Sequence, residues 1–156
     1  MSTHSRITLN SPDETADLAR QIAATLQKGD VILLSGGIGA GKTHFARALI
    51  QSLLIQHEDV PSPTFTLVQT YDTPDFELWH ADLYRLTSPD EIEELGLIDA
   101  FETAVCIVEW PDRLDDLALP DALSLSFEPD ADADSRTLTA RWHSPEWTTR
   151  LQGLLI

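Results

Sequence analysis

The sequence predicts an α/β fold: a mostly parallel central sheet covered by helices on both faces, with antiparallel hairpin additions. Three observations predict it. Residues 31–34, Val-Ile-Leu-Leu, form an uninterrupted apolar run bounded by glycine on both sides, as in a strand buried on both faces of a parallel sheet. Helical spacing follows over residues 43–55, through Phe45, Ala46, Leu49, Ile50, Leu53 and Leu54, which gives that stretch one apolar face. Segments 65–71 and 76–84, and again 122–127 and 137–142, alternate apolar with polar residues around short polar connections, the signature of hairpins.

Taken in order, residues 6–10 alternate enough for a short strand. Ser11-Pro12-Asp13-Glu14 then supplies an N-cap, a first-turn proline and two first-turn acids, which complement the positive end of a helix. Leu18, Ile22, Ala23 and Leu26 give that helix its apolar face, and Lys28-Gly29 is expected to end it. Pro61 and Pro63 break the chain before the first hairpin. Ser88-Pro89-Asp90-Glu91 opens a second short helix by the same capping logic, with Gly96 as its expected stop. Residues 104–110 form a buried strand, residues 128–134 an acidic loop, and residues 145–155 a closing helix.

A length of 156 residues fits one domain spanning 1–156, large enough to bury its own core. Hydrophobic residues at 42% and charged residues at 23% argue against a disordered or fibrous chain. No apolar run approaches the roughly 18–20 residues that span a bilayer, and the first ten residues lack a basic-then-apolar leader; a cytoplasmic location is the expectation. The lone Cys106 sits in an apolar run, where a thiol is a small buried hydrophobe. With 26 acids against 10 bases, the formal charge of −16 repels phosphate backbones and disfavours direct, tight nucleic-acid binding.

The chemistry is concentrated in Gly36-Gly37-Ile38-Gly39-Ala40-Gly41-Lys42-Thr43, which fits the phosphate-loop pattern and stands between a buried strand and an amphipathic helix. A loop whose N–H groups all point inward needs residues that reach positive φ, and glycine does so without steric cost. Lys42 can reach β and γ phosphates, Thr43 offers a hydroxyl to Mg²⁺, and the next helix turns its positive end to the anion. The pattern predicts ATP with Mg²⁺ as ligands and a P-loop NTPase-like three-layer sandwich. Lys42 is one of only two lysines in the chain, so an incidental surface charge is a poor account of it.

Such loops pair with an acid at the end of a nearby buried strand, which holds the metal shell or orients water. Two acids qualify: Glu109 after Val105-Cys106-Ile107-Val108, and Asp82 after Trp79-His80-Ala81. A strand-ending acid that only faces solvent is the ordinary alternative for each. His80 shares the strand face of Asp82 and is a structural, ligand or shuttle histidine. Thr64, following Pro63, stands either where a hydroxyl senses a γ-phosphate or simply at a strand start after a proline turn, and Trp110 beside Glu109 packs or contacts the nucleotide.

These segments resemble a known family. GGIGAGKT at 36–43, SPTFTL at 62–67, HADLYRL at 80–86, ELGL at 94–97 and VEWP at 108–111 with Arg113 are similar in kind, order and spacing to TsaE, the bacterial tRNA threonylcarbamoyladenosine biosynthesis ATPase. The resemblance covers roughly residues 10–120. It implies a P-loop fold, slow ATP hydrolysis, and work with TsaD- and TsaB-type partners on the adenosine beside the anticodon, supporting turnover rather than carbamoyl transfer. Carried over by position, it implies Thr43 and Glu109 on Mg²⁺, Asp82 as the carboxylate needed for hydrolysis, and Ser11 near the base. Two residues depart from the family: Gly37 stands where an acid or amide is common, and His44 where a second Thr or Ser is common. A small-molecule phosphotransferase is the competing function, but such kinases clamp phosphates with several arginines, and outside helices and tails the chain offers chiefly Arg85 and Arg113. No Asn-Lys-x-Asp guanine-reading segment occurs.

Overall fold

A computed structural model describes residues 3–37, 41–56, 58–63, 66–86, 88, 90–114, 119–130 and 135–154. In chain order the elements are β1 (Thr3–Leu9), α1 (Pro12–Ala23), β2 (Val31–Gly36), α2 (Lys42–Leu53), β3 (Val68–Asp72), β4 (Glu77–Asp82), α3 (Asp90–Glu94), α4 (Leu97–Thr103), β5 (Val105–Glu109), β6 (Leu123–Pro129), β7 (Arg136–Trp142) and α5 (Pro145–Arg150), with a 3₁₀ turn at Pro111–Leu114.

The strands form one sheet in the order β1-β7-β6-β2-β5-β4-β3. Its four inner strands, β6, β2, β5 and β4, run parallel. Antiparallel partners flank them: β3 on one side, and β7 then β1 on the other. Both expected hairpins are present, as β3–β4 and β6–β7. The first strand closes the far edge, pairing Thr3 with Trp142 and Leu9 with Arg136.

Strand alternation divides the core into two layers, because successive residues point to opposite faces. Ile32, Leu34, Val105, Ile107 and Leu78 pack under α1, α2 and α5. Val31, Cys106, Val108 and Ala81 pack on the other side with Ile92, Leu97, Ala100 and Phe101 of α3 and α4. Helices on both faces of the sheet make the three layers that the sequence predicts.

α1 begins as expected, with Ser11 Oγ accepting the Glu14 N–H at 3.2 Å and Pro12 in the first turn. It ends at Ala23, before Gly29. Gly29 instead takes φ 95° in the turn before β2, where its N–H donates to Ala104 O at 2.9 Å. The expected stop at Gly96 holds for α3, which ends at Glu94 with the Gly96 N–H donating to Glu93 O at 3.0 Å; at φ 82° the same glycine also opens a further helix, α4. Leu97, Ala100 and Phe101 were the readable signal for α4, at helical spacing on its buried face.

The C-terminal segment belongs to the core rather than trailing from it. Trp142 and Trp147 are buried, with indole N–H groups donated to Thr148 Oγ1 and Asp121 O, each at 2.8 Å. Arg150 reaches Asp30, just ahead of β2, at 2.7 Å. Among the described residues no helix is long and apolar enough to cross a membrane.

Candidate functional site

The site gathers where β2, β4 and β5 end and α2 begins. β2 runs out at Gly36, whose φ of 138° turns the chain, and Gly41 at φ 107° leads into α2. The Phe45 N–H donates to Gly41 O at 3.0 Å, closing the first turn. α2 has no acid in its first turn and no side-chain cap, so its first N–H groups are left to an anion. Of the phosphate-loop residues, Ile38, Gly39 and Ala40 lie outside the described residues, as does Thr64.

Lys42 opens α2 at 5% exposure. Its ammonium donates to Gly36 O at 2.6 Å and lies 3.4 Å from the centroid of the Trp110 ring, a cation–π arrangement. Burial pushes its pKa below the ordinary lysine value, while Glu109, Asp82 and Asp112 pull it back up. Trp110 takes a positive φ of 61° as the chain leaves β5, its N–H donating to Leu34 O at 3.2 Å. Its ring packs on Tyr84 with centroids 4.7 Å apart.

Thr43 and Glu109 meet directly: Thr43 Oγ1 donates to Glu109 Oε1 at 2.8 Å, from α2 to the end of β5. The second oxygen, Oε2, lies 2.7 Å from His80 Nε2 on β4. Glu109 is 1% exposed and Asp82 4%, so neither is a solvent-facing strand end. The parallel register sets them side by side on adjacent strands. Asp82 Oδ1 accepts the Tyr84 N–H at 3.0 Å, and its own N–H donates to Leu67 O at 2.8 Å. Leu67 takes φ 69° and donates its N–H to Pro63 O at 2.7 Å, so Pro63 is linked through Leu67 to the end of β4.

On the other flank, exposed His44 in the first turn of α2 bonds through Nε2 to Pro12 O at 2.9 Å. That contact brings the start of α1, with Ser11, against α2; the Ser11 hydroxyl is engaged there as the helix cap. Gly37 is exposed, and a Cβ added to it would meet nothing within 4 Å.

Three relationships were not legible beforehand. His80 serves Glu109, a strand away, and not its near neighbour Asp82. Tyr84 stacks on Trp110, although the tyrosine following the His-x-Asp segment was a usable signal. Asp112 adds a third acid to the field around Lys42. Among the described residues no group of three or more His, Cys, Asp or Glu is arranged to hold a metal ion. What the loop's vicinity offers is the Thr43 hydroxyl and the Glu109 and Asp82 carboxylates, all hard oxygen donors. So few protein oxygens suit Mg²⁺, which completes its shell with water and phosphate.

The family model for "Threonylcarbamoyl adenosine biosynthesis protein TsaE" matches residues 9–138. The tRNA threonylcarbamoyladenosine biosynthesis protein TsaE of Rickettsia bellii is 46% identical over 107 residues, covering 69% of this chain and 74% of that protein. The Bacillus subtilis protein of the same name is 37% identical over 130 residues, covering 83% and 80%. The crystal structure of Bacillus subtilis YdiB superimposes with a TM-score of 0.80 at 27% identity, covering 99% of this chain and 95% of that one. The match begins at the end of β1 and runs through every element that builds the site into β7, so this chain belongs to the TsaE family of tRNA threonylcarbamoyladenosine biosynthesis proteins.

Proposed function

We propose that this chain is a Mg²⁺-dependent ATPase, a single P-loop domain over residues 1–156, that works in the cytoplasm with TsaD- and TsaB-type proteins in forming threonylcarbamoyladenosine on tRNA. The observation that carries this is the Thr43–Glu109 contact at 2.8 Å. It sets a hydroxyl from the phosphate-loop helix against a buried carboxylate, with the Lys42 ammonium nearby.

In this reading Gly36, Gly37, Ile38, Gly39, Ala40 and Gly41 cradle the phosphates with backbone N–H groups. Lys42 leaves Gly36 O and the Trp110 face to neutralise the β and γ phosphates. Thr43 and Glu109 hold Mg²⁺, which when bound offsets charge on the phosphate oxygens. Asp82 orients or deprotonates the attacking water, and Thr64 senses the γ-phosphate. Ser11 and His44 border the base, with Trp110 on the opposite flank. A formal charge of −16 leaves tRNA to be held by the partners, since this surface repels a phosphate backbone.

The test is ATP hydrolysis by the full chain with and without TsaD- and TsaB-type proteins, in wild type and Asp82→Ala. Expected is slow turnover alone, faster turnover with partners, and a loss of about 10²–10⁴-fold in the variant, the usual worth of a positioned acid or base. Activity that ignored both the partners and Asp82 would sink the reading. Calorimetry on Lys42→Ala checks the loop itself, where magnesium-nucleotide uptake should fall below detection.

A further inference from the structure

His80 is fully buried on β4, beside Leu78 and facing the α1–α2 layer. Its Nε2 lies 2.7 Å from Glu109 Oε2, while Nδ1 is buried with no hydrogen-bond partner among the described residues. Of the two neutral tautomers only one suits this geometry. A proton on Nδ1 would orphan a buried donor and set the Nε2 lone pair against a carboxylate oxygen. A proton on Nε2 makes the contact a donated hydrogen bond and leaves Nδ1 an unpaired acceptor. With no described residue on Nδ1 and no exposure to solvent, the geometry favours a holding contact over a relay.

We propose that His80 is a positioning residue for Glu109: its Nε2–H holds Oε2 and thereby aims Oε1 at Thr43 and the cation site. This rests on the reading of Glu109 as a Mg²⁺ ligand. Glu109 has three side-chain torsion angles at the end of a strand, and burial alone does not choose among its rotamers. The two contacts on its two oxygens do so, one from α2 and one from β4. The parallel β4–β5 register, which pairs His80 with Ile107 and Asp82 with Glu109, places the imidazole two residues short of the carboxylate it serves, on the same face of the sheet. Partners that orient a metal ligand in this way are worth about 10–100-fold in metal affinity.

The experiment compares wild type, His80→Leu and His80→Gln as full chains, with thermal melts showing that each is folded. ADP binding is titrated calorimetrically in EDTA and then across a Mg²⁺ series. Expected for His80→Leu is unchanged binding in EDTA and a Mg²⁺ midpoint raised about 10–100-fold. His80→Gln, whose amide N–H can donate to Oε2, should recover most of that shift. ¹⁵N NMR of the wild-type ring should find the proton on Nε2. A folded His80→Leu with the wild-type Mg²⁺ midpoint overturns the proposal, as does a proton on Nδ1, or a loss in His80→Leu equally large in EDTA and in Mg²⁺. Wild type that shows no Mg²⁺-dependent uptake overturns the metal-site reading and this inference together, which separates the two failures.

Discussion

The Lys42 ammonium lies 3.4 Å from the centroid of the Trp110 ring and 2.6 Å from Gly36 O, so the one cation of the phosphate loop is already engaged on both sides. In the proposed function, binding a triphosphate would exchange these contacts for charge-assisted bonds to phosphate, which are the stronger kind.

That exchange should be visible in fluorescence. Trp110 is one of four tryptophans, and it is the one whose face carries the ammonium. Titrating wild type with magnesium nucleotide should change indole emission, and the change should disappear in Trp110→Leu. An unaltered nucleotide response in Trp110→Leu would show that Lys42 does not leave the ring.

Two glycines of the loop should part company in stability. Gly41 sits at φ 107°, a conformation costly to any residue with a Cβ, so Gly41→Ala should lose about 1–3 kcal/mol. Gly37 has open space around its Cβ position and no positive φ, so Gly37→Ala should be neutral or gain about 0.4–1 kcal/mol through the unfolded chain. Urea denaturation of the two variants measures the difference.

Arg150 and Asp30 form an ion pair whose side chains are 11% and 13% exposed. Burial raises the Asp30 pKa, against the pull of the Gln27 N–H and of Arg150. Arg150→Met strands the carboxylate, which should cost about 3–5 kcal/mol at neutral pH. The sign with pH follows: a carboxyl whose folded pKa is raised gains relative stability in its protonated form, so the penalty should shrink as pH falls toward and below 4. Equal losses at pH 7 and pH 4 by urea titration would contradict this.

Burial, with the Glu77 charge adding to it, pushes the Cys106 thiol from 9.0 up to about 12. The folded protein should resist thiol reagents at pH 8 and react at the rate of its unfolding. Because the native pKa is the higher one, the stabilisation is complete below pH 9 and is lost as pH rises toward 12. Relative to Cys106→Ala, wild type should lose up to about 1.4 kcal/mol per pH unit across that window.

How much of this was legible in the sequence depended on the range of the interaction. β2, the phosphate loop and α2 are local: four apolar residues, a glycine run and one amphipathic face suffice to specify them. α4 was hidden because Gly96 was read as a stop, whereas its positive φ serves equally to join two helices. The edge pairing of β1 with β7 is a contact between chain segments far apart, and neither strand's alternation names its partner. In the site, Asp82 and Glu109 were readable as strand ends. That they lie side by side, and that His80 crosses to Glu109, depends on a parallel register which periodicity does not encode.

The alternation of β4 has one more consequence. His80 and Asp82 share a face only because a single residue, Ala81, separates them and points into the opposite layer. Side-chain swaps at Ala81 tax packing beneath the sheet while leaving both neighbours aimed as before. A one-residue insertion or deletion there would rotate the imidazole or the carboxylate to the far side in one stroke, so the strand tolerates spelling changes at its silent letter but no change of metre.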